Sequence, residues 1–322
     1  MKPDKNYING IIFSAHKNLI SRDKMLRIAD TASAEEAFSA VKEHGYQVAE
    51  LGAGDYQTAL FYEEQKLLDF IRGCDFGEDI KAFCLAKNDF FNAECAVRGR
   101  HAPSMARARR PDGQFSYDEI AEGLKNDDSA LGKAIKQAVS AAENLFAEKE
   151  PGGGEITTVF MRAYYRYALK KITDRRMKNV LRFDIDAKNI SIALRSAQPA
   201  VLKENGFEGG RLKLSDVEEL CALSPSRADL KFAFTPEYDY IRAAMNEAAA
   251  GKPMKAFEKA ADDYALQCFD DIRYDTRGKT PLLMYYLYKT AEIKNLRTIM
   301  SLKLIACPPD EIKSRLRKGY VG

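Results

Sequence analysis

A pattern of twelve residues occurs three times along the chain, and it limits the possible folds more than any other feature. In each copy an acidic residue precedes an Asn by three positions, and apolar residues follow that Asn after one, four and five positions. The Asn residues are Asn92, Asn189 and Asn295, so successive copies are 97 and 106 residues apart. Self-similarity at such a period is typical of chains built from repeated structural units. The pattern therefore predicts three similar domains, over residues 1–111, 112–210 and 211–322.

The acid and the Asn of each copy are three positions apart, so on a helix they share one face. Such a pair predicts structural hydrogen bonds, because an acid is favoured near a helix start and an Asn amide can bridge backbone groups of a neighbouring helix. A basic residue follows the Asn by six positions in the first two copies, whereas in the third copy Ser301 stands there and Lys303 comes two positions later. The predicted motif residues are Asp89, Asn92, Arg98, Asp186, Asn189, Arg195, Glu292, Asn295 and Lys303.

Apolar residues at three- and four-residue steps dominate the rest of the chain, and alternating segments typical of strands are nearly missing. The spacing predicts an all-α fold of roughly 15 or more helices. The clearest helical segments are residues 33–50, 56–72, 116–149, 157–172 and 235–250.

Composition and local motifs argue against several classes of protein. Lys and Arg number 50 against 47 Asp and Glu, and this near balance does not indicate a nucleic-acid-binding protein. No apolar run approaches the roughly 18 residues of a spanning helix, and the first residues lack the features of a secretory signal. We therefore expect a cytoplasmic chain that does not cross a membrane. Six scattered Cys and three isolated His predict neither a metal site nor a catalytic triad, and we expect no cofactor.

Two local patterns suggest ligands. Residues 98–110, here called the basic stretch, contain five Arg and one His but no acid. This stretch is consistent with a solvated loop, with contact to lipid headgroups or an acidic partner, or with RNA binding. The run from Arg277 to Thr280 looks like the end of a phosphate-binding loop, but Arg273 occupies the position where that motif requires Gly. We interpret this run as a surface turn.

The three copies resemble the repeated motif of the C-subunit family of V/A-type rotary ATPases, which is related to the eukaryotic d subunit. The third copy is the most similar to the family's C-terminal signature, over residues 285–299 and the tail 309–313, and residues 24–29 and 34–38 resemble the family's opening helices. The resemblance implies a non-catalytic funnel of three helical domains around a pseudo-threefold axis. Such a protein is present once per complex, at the membrane periphery on the cytoplasmic side. It joins the D and F subunits of the central shaft to the membrane proteolipid ring.

Two other functions remain open from the residues alone. The first is a free-standing α-helical scaffold that binds soluble partners. The second is a hydrolase that uses repeated carboxylates such as Asp186 and Glu292 as general acids or bases, which would require a pocket around them.

Overall fold

The computed structural model describes residues 5–46, 50–196, 198–222, 238–250 and 254–321. Within these ranges the chain is helical and has no strand, apart from one isolated bridge between Ser21 and Tyr320. The predicted all-α fold class is therefore confirmed. In the part of the chain that the structure describes, none of the helices has the length and apolarity needed to cross a bilayer.

The helices follow one another in this order: α1 (Lys5–His16), α2 (Arg22–Asp30), α3 (Ala34–Glu43), α4 (Tyr56–Gly73), α5 (Glu78–Cys84), α6 (Ala86–His101), α7 (Tyr117–Ala121), α8 (Ala130–Glu148), α9 (Gly153–Lys171), α10 (Arg175–Ser196), α11 (Pro199–Asn205), α12 (Leu214–Glu218), α13 (Tyr238–Ala249), α14 (Lys255–Gln267), α15 (Thr280–Lys303) and α16 (Pro309–Ser314). Short 3-10 helices lie at Ala53–Asp55, Pro103–Met105, Glu219–Cys221 and Asp270–Ile272.

The chain divides into two compact units. The first unit consists of Met1–Phe76 and Glu258–Gly322, and the second is Gly77–Phe257. In the first unit α15 packs against α1, α2, α3 and α4. Its apolar residues, such as Leu296 and Ile299, are fully buried in a core shared with residues of α2, α3 and α4.

In the second unit α6, α8 and α9 pack on one another, and α10 packs against α9, α11, α12 and α13. Serine side chains cap two of its helices, α7 and α8. The Ser116 hydroxyl accepts a hydrogen bond from the Glu119 N–H at the start of α7, and the Ser129 hydroxyl accepts one from the Gly132 N–H at the start of α8. Each bond satisfies one of the amides that a helix leaves unpaired in its first turn.

The structure breaks two of the segments that periodicity predicted as single helices. The helix expected over residues 33–50 ends at Glu43, where Gly45 follows with a φ of +90°. The helix expected over residues 116–149 is interrupted between α7 and α8, where Gly123 and Leu124 have φ values of +86° and +50°. A left-handed residue ends a right-handed helix even where the apolar spacing continues. The segment expected at residues 235–250 appears as α13, and residues 47–49 and 235–237 lie outside the described residues.

Candidate functional site

The first motif copy lies on α6 and binds the backbone of the loop at residues 110–115. The Asp89 carboxylate accepts hydrogen bonds from the N–H groups of Gln114 (2.9 Å) and Phe115 (3.0 Å). The side chain of Asn92 pairs with both backbone groups of Arg110: its oxygen accepts from the N–H (2.8 Å), and its amide donates to the carbonyl (3.1 Å). Both side chains are fully buried. The first copy therefore fixes a loop that lies 18 to 26 residues further along the chain.

The second copy, on α10, repeats this geometry at the same sequence separations. The Asp186 carboxylate accepts from the N–H groups of Arg211 (2.9 Å) and Leu212 (3.2 Å). The Asn189 side chain pairs with the N–H and carbonyl of Phe207, both at 2.8 Å. Asp186 and Asn189 are also buried. We call residues 110–115 and 207–212 the motif-bound loops.

The third copy, on α15, keeps the Asn contact but changes the partner of the acid. The Asn295 side chain pairs with the N–H (2.8 Å) and carbonyl (3.2 Å) of Arg317. The Glu292 carboxylate instead accepts a hydrogen bond from the N–H of Ile20, at 2.6 Å, which is 272 residues away in the sequence. The third copy thus binds two segments from remote parts of the chain, whereas each of the first two copies binds one continuous loop.

A backbone hydrogen bond connects these two segments within the first unit. The N–H of Arg22 donates to the carbonyl of Tyr320 at 2.9 Å, beside the bridge between Ser21 and Tyr320. Residues 20–22 and 317–320 together therefore form the third counterpart of a motif-bound loop.

All three acids accept a hydrogen bond from a backbone N–H at the same position, just before the start of a short helix. The bonded amides of Phe115, Leu212 and Ile20 each belong to the residue directly before the N-cap, and these N-caps begin α7, α12 and α2. The bonded residue is apolar in every case. Each motif thereby fixes the point at which the chain enters a short helix, which follows the motif in the first two copies and lies near the start of the chain in the third.

Two glycines allow the carboxylates to lie this close to the loop backbone. A Cβ atom at Gly113 would lie 2.5 Å from Asp89 Oδ1, and a Cβ atom at Gly210 would lie 2.0 Å from Asp186 Oδ1. Both glycines come 24 residues after the acid of their motif. Only a residue without a side chain fits at either position.

The third copy also carries a buried ionic cluster. The Glu292 carboxylate accepts hydrogen bonds from the Lys289 ammonium and from the Tyr46 hydroxyl, both at 2.6 Å, and Lys289 forms a second ion pair with Glu63 at 2.9 Å. Burial opposes the charge of Lys289, but the carboxylates of Glu292 and Glu63 outweigh it and raise its pKa. Burial, together with the charge of Glu292, raises the pKa of Tyr46 well above its usual value. The carboxylate of Glu292 is therefore occupied by internal donors.

The three basic residues of the motif have different surroundings. Arg98 is buried, and its guanidinium bonds Glu94 (2.8 Å) and two oxygens at the start of α9. Arg195 is exposed in the last turn of α10. Lys303 donates to the carbonyl of Thr31, and burial lowers its pKa. The Asn therefore has equivalent geometry in all three copies, the acid has it in the first two, and the basic residue differs in each.

Several residues of the basic stretch contact other side chains of the second unit. Arg100 forms an ion pair with Glu143 at 3.2 Å. The guanidinium groups of Arg107 and Arg110 lie 4.7 Å and 4.4 Å from the centroid of the Phe91 ring, which is within the range of cation–π attraction. Part of the positive charge of the basic stretch is therefore used in internal packing.

Further signals from the sequence lead to no chemical centre. Arg277 pairs with Asp275 (3.4 Å) in an exposed turn, and Pro281 follows in the first turn of α15. Across the described ranges, no group of three or more His, Cys, Asp or Glu side chains is arranged to hold a metal ion. The loops that the motifs bind were not identified from the sequence, although the Gly at 24 positions after Asp89 and Asp186 was visible there.

Comparison with known proteins gives consistent matches. The sequence model described as ATP synthase (C/AC39) subunit matches residues 8–315. The C subunit of the A-type ATP synthase of Haloferax volcanii is 27% identical over 255 residues, which cover 74% of this chain and 73% of that protein. The proteins of the same name from Haloquadratum walsbyi and Halorubrum lacusprofundi are each 25% identical, over 258 and 269 residues. The former match covers 73% of both chains, and the latter covers 78% of this chain and 76% of its relative.

Proposed function

Because the chain belongs to the ATP synthase (C/AC39) subunit family, and is thus a non-catalytic component of a V/A-type rotary ATPase, we propose that it couples the central shaft of that complex to its membrane ring. In this role it binds the D and F subunits of the shaft on one side and the proteolipid ring on the other. We further propose that one copy lies at the cytoplasmic periphery of the membrane in each complex.

The repeated acid and Asn contacts carry this proposal, because a coupling protein must transmit torque without deforming. Each motif connects a core helix to the start of a short helix through hydrogen bonds that are buried or partly buried. Bonds to an ionised carboxylate are among the stronger hydrogen bonds in proteins, and close-packed interiors have low compressibility. Stiff connections at corresponding places suit a rotor better than they suit an enzyme.

The same contacts support the division into three similar domains, which we propose to form a pseudo-threefold funnel. The predicted boundaries after residues 111 and 210 both fall inside motif-bound loops. Each proposed domain would then begin where the preceding motif fixes the chain. In this arrangement the acids Asp89, Asp186 and Glu292 each connect one domain to another, and the Asn residues fix loops within their own domains.

Purification of the affinity-tagged chain from detergent-solubilised membranes tests the proposed partners. We expect the shaft proteins, the catalytic proteins and the proteolipids to co-purify, with one tagged copy per complex by native mass spectrometry. When the catalytic sector is released, the chain should remain with the rotor. Recovery of the chain alone, or with unrelated soluble proteins, would favour the alternative of a free-standing scaffold.

A substitution tests whether stiffness matters for coupling. We expect Asp186→Ala to free the loop at residues 207–212, so that membranes pump fewer ions for each ATP hydrolysed while hydrolysis continues. Asp128→Ala is the matched control, because that side chain is 95% exposed and lies outside the motif. Equal ion-to-ATP ratios in both variants, with the complex intact, would contradict the proposed role of the motif.

A further inference from the structure

A cleft of about 680 Å³ in the second unit carries concentrated positive charge. One wall is α9, which contributes Arg162, Arg166 and Lys170. These residues are four positions apart and therefore share one face, along about 12 Å of helix. Lys203 of α11 adds a fourth cation, which forms an ion pair with Glu218 at 3.7 Å, and Glu208 is the one acid among the lining residues. The cleft therefore has a clear excess of positive charge.

Internal partners account for only part of this charge. The Arg162 guanidinium donates to the carbonyls of Glu204 (2.7 Å) and Gly206 (3.0 Å), and so connects α9 to the opposite wall. Neutral carbonyls leave its positive charge without a counterion. Arg166 and Lys170 are exposed and have neither an ion pair nor a side-chain hydrogen bond in the described part of the chain. These two cations are available to a ligand.

Helices α4 and α14, which lie before the first and third motif copies, instead carry acids that form internal ion pairs. On α4, Glu63 pairs with Lys289 of α15 at 2.9 Å, and on α14, Asp262 pairs with Lys294 of α15 at 2.6 Å. Around α9 the excess of positive charge extends along the sequence, because residues 156–203 contain eleven Lys or Arg and three Asp. Arg166 and Lys170 of α9 therefore lack the internal role that charged residues have on α4 and α14.

We propose that this cleft binds an acidic segment of a partner protein in an extended conformation. Successive cations on α9 are about 6 Å apart along the helix axis, which is close to the roughly 6.6 Å between alternate residues of an extended chain. Acidic side chains at every second position can therefore face Arg162, Arg166 and Lys170 in turn. Leu169 and Leu214 line the cleft and are half-buried, so they offer apolar surface to the intervening side chains. This inference goes beyond the proposed coupling role and does not depend on it.

Fluorescence anisotropy with the full chain tests the proposal. The probe is a fluorescein-labelled peptide of about twelve residues with Glu and Val alternating, and the control peptide has Gln in place of Glu. We expect the Glu peptide to bind more tightly than the Gln peptide, and to weaken as salt is raised from about 50 to 300 mM, because ions screen exposed charges.

Charge reversal locates the binding site. Arg166→Glu with Lys170→Glu should weaken binding of the Glu peptide by about tenfold or more, since two attractions become repulsions. Lys125→Glu with Lys133→Glu is the matched control, because these residues are exposed, lie outside the cleft and change the net charge equally. Binding to this control should stay within about twofold of the original, and circular dichroism should show both variants folded.

Three results would overturn the proposal. Equal weakening in the two double variants would mean that only the net charge attracts the peptide. Equal binding of the Gln and Glu peptides would remove the role of the acids. If tripolyphosphate or vesicles containing phosphatidylserine bind through Arg166 and Lys170 while the Glu peptide does not, the cleft recognises phosphate groups and not an acidic protein segment.

Discussion

A methyl group added at Gly113 would test whether the contact between Asp89 and its loop stabilises the second unit. In Gly113→Ala the new Cβ would lie 2.5 to 2.6 Å from the carboxylate carbon and oxygens of Asp89, which is too close for any side chain. The carboxylate must move away from the N–H groups of Gln114 and Phe115, or the loop must shift as a whole. Either change disrupts two partly buried hydrogen bonds to a carboxylate acceptor.

The expected loss of stability follows from these two bonds. A hydrogen bond to a charged group contributes about 1.5–3 kcal/mol, so the pair is worth roughly 3–6 kcal/mol. Replacing Gly by Ala also lowers the conformational entropy of the unfolded chain, which stabilises the folded state by about 0.4–1 kcal/mol. We therefore expect Gly113→Ala to reduce the free energy of unfolding by about 4 kcal/mol, within a range of roughly 2–5.6 kcal/mol.

Urea unfolding followed by circular dichroism provides the assay, and Gly99→Ala provides the control. Gly99 lies within α6, and no atom would come within 4 Å of an added Cβ. The control should therefore gain about 0.5–1 kcal/mol from the higher helix propensity of Ala. In a double-mutant cycle, Gly113→Ala should cost little once Asp89→Ala has removed the carboxylate. If Gly113→Ala is as stable as Gly99→Ala, or equally harmful in both backgrounds, the close approach is not what stabilises the loop.

Three further substitutions probe other contacts of the motif, each by urea unfolding. Asn189→Asp should lower the free energy of unfolding by about 2–3 kcal/mol, because a carboxylate cannot donate to the Phe207 carbonyl. Asn126 is exposed, so the control Asn126→Asp should change this free energy by less than about 0.5 kcal/mol. Tyr46→Phe should cost about 1.5–3 kcal/mol at pH 8, since it removes a hydrogen bond to a carboxylate. The pKa of Tyr46 is raised in the folded state, so the unfolded chain loses the Tyr46 proton first as the pH rises above about 10. The original protein should therefore lose more stability between pH 9 and 11 than the Phe variant does. Arg98→Lys should cost about 1–2 kcal/mol, because a single ammonium cannot replace the guanidinium fork.

The sequence was sufficient to predict the helical class and the shared face of each acid and Asn, because both follow from local spacing. Where a helix stops was harder to predict, since the apolar pattern continues past Gly45 and Gly123 although the backbone there turns left-handed. The partners of the motif were not predictable from the motif alone, because a buried carboxylate can bind any amide that the fold brings near. The glycines that come 24 residues after Asp89 and Asp186 could have indicated the loops, since a repeated Gly at a fixed separation suggests a close backbone approach.

The third copy could not be predicted by analogy with the first two, and its extra contacts have a physical explanation. Closing a loop of 272 residues between Ile20 and Glu292 costs about 2 kcal/mol more than closing one of 25, because closure entropy rises with the logarithm of length. The hydrogen bond from the Tyr46 hydroxyl to Glu292 contributes about 1.5–3 kcal/mol, which is enough to offset that difference. The Lys289 ammonium supplies the positive charge that a buried carboxylate requires when it accepts one backbone amide and not two. The third copy therefore holds its two segments with more side-chain partners, because these segments are not continuous in the sequence.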